Sequence, residues 1–168
     1  MAVLAAGSLQ NVYASLDLYL QAKLVTSAGL SVRLHGMRRF IPPVDDPWVE
    51  AHYDFLGLQS AFRRQVTRGA LATERQGHVQ LDIFQRVRVF TTHYTTAVAR
   101  DRVVAAFPEG AILKIYDVAG VGIDQPYVEV GALILDEITE HVADTGQKSG
   151  MIQHVLLVAT RYLEQFTR

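Results

Sequence analysis

Residues 48–55 read Trp48-Val49-Glu50-Ala51-His52-Tyr53-Asp54-Phe55. Val49, Ala51, Tyr53 and Phe55 fall on one side of a two-residue period; Trp48, Glu50, His52 and Asp54 fall on the other. That alternation is the pattern of a half-buried β-strand. Residues 78–85 repeat it, with Val79, Leu81 and Ile83 on one face. A further strand is expected at 61–67, broken by Gly69, and residues 70–77 read as a polar turn region ending at Gly77.

Outward from these strands the period changes. Ser8 is a suitable N-cap, and Leu9, Tyr13, Leu16, Leu20 and Leu24 recur at three- and four-residue steps, so a helix is expected over 8–28 with Gly29 as its stop. A short strand is expected at 31–34. Gly36, Pro42, Pro43 and Pro47 mark a long irregular connection. Thr91 and Thr92 can cap a second helix over 92–107, its apolar side formed by Tyr94, Ala97, Val98, Val104 and Ala105; Asp101 interrupts that side, and Pro108 and Gly110 end the helix. Strands follow at 112–118, 127–138 and 151–166; the last turns, 160–166, also suit a helical period. Helices and strands do not alternate one by one, so the expected fold is α+β, a mostly antiparallel sheet with two helices packed on one face, in a single domain over residues 1–168.

Composition bounds the function. The chain has 168 residues, 49% of them apolar and 20% charged, which is globular composition. Sixteen basic and seventeen acidic residues leave a net charge of −1, so no general attraction to nucleic acid or membrane follows. Basic residues bunch at Arg38-Arg39, Arg63-Arg64 and Arg86/Arg88. Cysteine is absent, which excludes disulfides, a thiolate metal site and a cysteine nucleophile. No positively charged leader opens the chain, and the longest apolar run, 128–135, contains Glu129; export and membrane insertion are not expected.

Catalytic patterns fail one by one. His35, His52, His78, His93, His141 and His154 share no metal-ligand spacing. Asp45-Asp46 precedes Pro47 and reads as a turn. Gly146-Gln147-Lys148-Ser149-Gly150 lacks the glycine–lysine order of a phosphate loop, and residues 118–122 lack the third glycine of a dinucleotide fingerprint. Ser60 and Ser149 have no nucleophile-elbow context. Tyr94, Phe107 and Tyr116 read as core rather than as stacking platforms. No catalytic residue, cofactor or metal is expected. Trp48 stands on the polar side of its strand after a proline-rich connection, which reads equally as an exposed interface anchor or as a cap over the sheet edge. The polar connection 139–150 is longer than a hairpin needs and is expected to project and dock on a neighbour.

The segment 49–84 resembles the sheet region of bacteriophage tail terminator proteins. In that family an N-terminal helix and a connecting loop lead to a strand around a tryptophan. A strand pair follows, then a glycine, a V-x-(V/L)-x-(I/V)-F strand and a second helix. Here these are Trp48, the strands at 49–55 and 61–67, Gly77, Val79-Gln80-Leu81-Asp82-Ile83-Phe84, and the helix over 92–107. The resemblance runs from about 8 to 166 by order of elements. It departs where a turn usually follows the strand, since Gln85-Arg86-Val87-Arg88-Val89-Phe90 has the residues to prolong it.

The resemblance implies a non-enzymatic virion protein, made in the host cytoplasm. It implies a six-fold ring that caps the head-proximal end of the tail tube, halts tube growth and joins the neck proteins of the capsid. The implied partners are other copies of the chain, the tail tube protein and a neck or head-completion protein; DNA passes through the ring without specific recognition. The candidate interface residues are Trp48, Asp45, Asp46, Arg63, Arg64, Arg86, Arg88, Asp144, Gln147 and Lys148. Two other readings stand beside it: a neck connector or tail tube subunit, and a small dimeric α+β enzyme or ligand-binding domain.

Overall fold

A computed structural model describes residues 8–67, 70–87, 92–118, 128–143 and 150–167. Helix α1, Leu9–Leu20, starts where Ser8 accepts a hydrogen bond from the Asn11 amide at 3.3 Å. It continues as a π-helical stretch, Gln21–Ser27, in which the Ala28 amide reaches back five residues to the Lys23 carbonyl. Leu16, Leu20 and Leu24 stay buried through this change of winding, as the apolar period requires. Gly29, at φ +66°, takes the left-handed conformation that ends the run.

Strand β1, Ser31–Arg33, lies parallel to the start of β2, Trp48–Thr67. The other pairings are antiparallel: β2 with β3 (Ala70–Arg86), β3 with β6 (Met151–Thr167), β6 with β5 (Val128–Ala143), and β5 with β4 (Ile112–Asp117). The sheet order is therefore β1-β2-β3-β6-β5-β4. Helix α2, Thr92–Ala106, stands between β3 and β4 in the chain. The described residues form an α+β fold, with two helices and a six-stranded, mostly antiparallel curled sheet.

The two long strands at the C-terminus are as expected, and residues 160–166 continue as strand. Full registration against β3, from Ala70↔Thr167 to Arg86↔Met151, decides between the two periods.

Several expectations need correction. The separate strands at 49–55 and 61–67 are one strand, carried past its irregularities by register shifts between Asp54 and Leu58 and between Gln59 and Arg63. Residues 70–77 are strand rather than turn. Their polar side chains are accommodated by cross-strand pairs: Arg75 with Glu164, and Glu74 near Arg161 at 3.9 Å. Gly77 lies inside β3 because a Cβ there would come within 2.4 Å of both the Asp54 carbonyl oxygen and the Phe55 ring. Strand β5 runs to Ala143, so residues 139–143 belong to the sheet; the rest of that connection, 144–149, lies outside the described residues. Strand β3 stops at Arg86.

Helix α2 is rotated relative to expectation. Thr96, Ala99, Val103 and Ala106 are buried, whereas Tyr94 and Val98 are 70% and 51% exposed, and Ala97 and Ala105 are exposed too. The buried face is built of small residues at i, i+3, i+7 and i+10, and the larger apolar residues lie on its outside. Tyr94 is thus not core; Phe107 is, and Tyr116 is half-buried.

Polar groups on the helices fasten them to the sheet. Ser15 and Asn11, both buried, accept hydrogen bonds from the amides of Tyr116 (3.0 Å) and Val118 (3.3 Å) along β4. Tyr19 donates to the Ala106 carbonyl and so ties α1 to the end of α2. Gln85, buried on β3, accepts from Thr95 (2.8 Å) and Thr96 (2.7 Å) on α2 and donates to the Asp45 carbonyl (3.0 Å).

Candidate assembly interface

Trp48 is only 4% exposed, which corrects its reading as an exposed anchor. Its ring stacks on Phe84 at 5.6 Å, and its indole N–H donates to Glu50 Oε1 at 3.2 Å. Glu50 also accepts from Arg33 at 3.0 Å. Both the apolar ring and its one polar atom are satisfied within the chain, so Trp48 caps the sheet locally.

The remaining candidates separate. Asp45 and Asp46 are exposed in the bend that ends the proline-rich connection. Arg86 is half-buried at the end of β3, opposite Met151. Arg63 and Arg64 lie in the distal part of β2, in register with Thr73 and Ala72. Arg88, Asp144, Gln147 and Lys148 lie outside the described residues.

Around Asp46 the fold builds a surface the sequence did not disclose. Asp46 and Pro47 face Tyr94, Val98 and Arg102 of α2 across a cleft of about 290 Å³ floored by Leu30 and Ala99. The same connection exposes Ile41 at 92% and Val44 at 51%. The Gln85 hydrogen bonds to Asp45, Thr95 and Thr96 hold this connection and the start of α2 in fixed relation. The readable signal was the exposed proline-rich stretch; what hid the rest was the assignment of Tyr94 and Val98 to the core.

A second cleft, of about 710 Å³, lies toward the opposite lateral edge of the sheet. Val104, Phe107, Pro108 and Ile138 give it apolar walls, and Glu109, Asp136 and Glu137 give it acidic ones. Asp136 pairs with Arg161 at 3.2 Å; Glu109 and Glu137 have no ion-pair partner among the described residues.

The most concentrated polar chemistry is a cluster under α1. Tyr53 donates its hydroxyl to Asp17 at 2.7 Å. The His35 ring stacks on Tyr53 at 4.9 Å and accepts the Tyr53 amide on Nδ1 at 3.0 Å, which leaves Nε2 to carry the proton of a neutral ring. Tyr13 closes over His35, Tyr53 and Phe55 at 5.2–6.0 Å. Burial raises the Asp17 carboxyl above its usual range, opposed by the Tyr53 hydrogen bond and the nearby His35. Burial, and then Asp17, push the Tyr53 hydroxyl far above the usual phenol range; burial, with Glu164 adding, pushes Tyr162 up to about 12. The Tyr53 hydroxyl and amide thus both find partners within the chain, and His35 caps an amide on the outer edge of β2.

The other histidines occupy separate places. His52 is 3.8 Å from Asp82, His154 is 3.2 Å from Glu140, His78 is half-buried and His141 is exposed. Among the described residues no three His, Asp or Glu side chains come together as a metal-binding group. No protein-family model matches this sequence, and no curated protein matches it.

Proposed function

We propose that the chain is a structural, non-enzymatic assembly protein that caps the head-proximal end of a phage tail tube as a ring, stopping tube growth and forming the joint to the neck. The observation that carries this reading is the order of elements. An N-terminal helix and an irregular connection lead to the Trp48 strand, then to a strand bearing Val79-Gln80-Leu81-Asp82-Ile83-Phe84, then to α2. That order agrees with the one the resemblance to tail terminators implies, except that the strand pair expected at 49–55 and 61–67 is the single strand β2. The end of β3 at Arg86 supports it further, because a break before α2 belongs to the same pattern.

The two helices cover one face of the sheet in this reading. Tyr53, which binds α1 through Asp17, pairs with Val79, and Gln85, which binds α2, lies an even number of residues from Val79 on the same strand. Residues an even number apart on a strand share a face. One face so covered leaves strand edges and exposed apolar positions such as Ile41, Tyr94 and Val98 for neighbours. Copies of the chain, the tube protein and a neck protein are the partners. DNA passes through the ring without sequence-specific contacts.

Capping requires a subunit that binds a growing tube end without reproducing it. Purified protein added to polymerising tube subunits should therefore arrest elongation at substoichiometric amounts and be found at tube ends. Tubes that elongate at an unchanged rate, with no end density, would contradict the reading.

A further inference from the structure

The connection between β1 and β2 carries an exposed stretch that is both basic and apolar. From Gly36 to Val44 it holds Arg38 and Arg39 and no acidic residue, in a protein whose net charge is −1. Arg38 and Arg39 are both exposed, and neither has an ion-pair partner among the described residues. Met37 and Val44 are exposed in the same stretch, and Ile41, at 92%, is the most exposed large apolar residue described. Methionine and arginine are the residues that protein interfaces favour over ordinary surface. The stretch is also anchored at both ends. The Met37 amide donates to the Leu34 carbonyl at 3.1 Å around Gly36, whose φ is +76°. At the far end Gln85 donates to the Asp45 carbonyl at 3.0 Å, and between these anchors Pro42 and Pro43 fix their own φ. A surface ordered in advance loses less freedom on binding.

The cleft of Glu109, Asp136 and Glu137 has the complementary chemistry. Phe107, Pro108 and Ile138 give it an apolar wall. Arg161 engages Asp136, which leaves Glu109 and Glu137, both exposed, without an ion-pair partner among the described residues. The two surfaces lie apart in one chain. The connection leaves from His35 at the outer edge of β2, whereas Ile138 lies on β5, with β3 and β6 between the two strands. We propose that the stretch from Gly36 to Val44 of one copy docks into the Glu109/Asp136/Glu137 cleft of a second copy, with Arg38 and Arg39 toward Glu109 and Glu137 and Ile41 against the apolar wall. Two arginines meet two carboxylates, and an isoleucine that its own chain leaves in water meets apolar surface. A contact between different surfaces is heterologous and propagates head to tail, so it closes into a ring when the rotation allows. The inference rests on the self-assembly of the preceding reading and names the contact that produces it.

Sedimentation velocity on five full-length chains tests this: wild type, R38E/R39E, E109R/E137R, the four substitutions combined, and I41D. Wild type is expected to self-associate, and less so at about 1 M salt than at about 0.1 M, where charge reaches about three times further. Each charge-reversed pair should weaken association at least tenfold, and the combination should restore it. I41D, which sets a carboxylate against the acidic cleft, should weaken it at least tenfold too. Association indifferent to salt, unchanged in either pair or in I41D, or not recovered in the combination would overturn the contact, as would a wild type that stays monomeric at every concentration. All five positions are exposed, and circular dichroism checks that each variant folds. Should either pair fail that check, R38E, Glu137→Lys and the two together supply the same cycle. Rings that persist in all five chains overturn this contact and leave the capping reading standing. Restored association without tube arrest overturns capping and leaves the contact standing.

Discussion

Between residues 48 and 55, β2 is held from both sides. β1 and the His35 ring lie along its outer edge, β3 lies along its inner edge in unbroken register from Trp48 to Asp54, and Val49, Ala51, Tyr53 and Phe55 are buried. Between residues 58 and 67 the same strand has, among the described residues, β3 on one side only, and its register shifts twice, after a first shift between Asp54 and Leu58. The boundary falls at Gly77, where the backbone of β3 closes on Asp54 and Phe55 too tightly for any side chain. The difference teaches that one continuous strand can serve two purposes. Its proximal half supplies core residues; its distal half continues the pairing with β3 in an interrupted register.

Substitutions should separate the two halves. The largest effect is expected from Leu81→Ala, since Leu81 is fully buried on the proximal part of β3. Truncation there should cost about 3.5 kcal/mol in urea unfolding, from lost burial plus the cavity left behind. Reversing Arg64 in the distal half should change unfolding by less than about 0.5 kcal/mol. Equal losses at the two positions would erase the distinction. Gly77→Ala tests the boundary. A methyl group 2.4 Å from the Asp54 carbonyl must displace backbone, so a loss of about 2 kcal/mol is expected, in the range of overpacked sites. A neutral result would show that the close approach is not needed.

Tyr53→Phe sharpens the account of the clamp. It removes the hydroxyl that donates to Asp17, and a loss of about 1 kcal/mol is expected near neutral pH. The Asp17 carboxyl is raised in the folded protein by burial, so its ionisation opposes folding progressively as pH rises through its unfolded and then its folded pKa. Without the Tyr53 donor that opposition grows. The deficit of the variant should therefore be larger at neutral pH than below the carboxylate range, where Asp17 is protonated in both states. A deficit independent of pH would mean that the hydroxyl acts through packing alone.

The smallest effect belongs to Arg100→Ala. The Arg100 guanidinium, hydrogen-bonded to Glu140 at 2.6–3.2 Å, holds that carboxyl below its usual range and ties α2 to β5. The stabilisation is present above the ordinary carboxylate pKa and is lost as pH falls through the lowered one. Both groups are partly exposed, so about 0.5 kcal/mol is the expected scale.

What could be read from the sequence follows the same division. The alternation of 48–55 and 78–85 and the leucine period of α1 were legible because burial on one face imposes a period on residue type. The distal parts of β2 and β3 were not, because Gly69 and Gly77 punctuate them like turns, and the second of these marks a close approach that only three dimensions reveal. Helix α2 misled for a related reason. Its buried face is Thr96, Ala99, Val103 and Ala106, and a count of apolar residues passes over the threonine on that side in favour of the side with Tyr94 and Val98. Of the candidate interface, Asp45 and Asp46 were readable as exposed bend residues. The Trp48 anchor was not a surface residue, since its Phe84 and Glu50 partners sit elsewhere along the chain or on its own face. Both clefts join residues far apart in sequence, and nothing in local spacing announces them.

The central claim is that this chain stops the growth of a tube. Electron microscopy of particles assembled without it measures that directly, through the distribution of tail lengths. Capsids and tubes should still form, since other subunits build them; tubes should overgrow past their set length and filled heads should lack tails. Normal-length tails joined to heads would contradict the claim outright; normal-length free tails would instead assign the chain to the head side of the joint, and absent tails to the tube or its initiation.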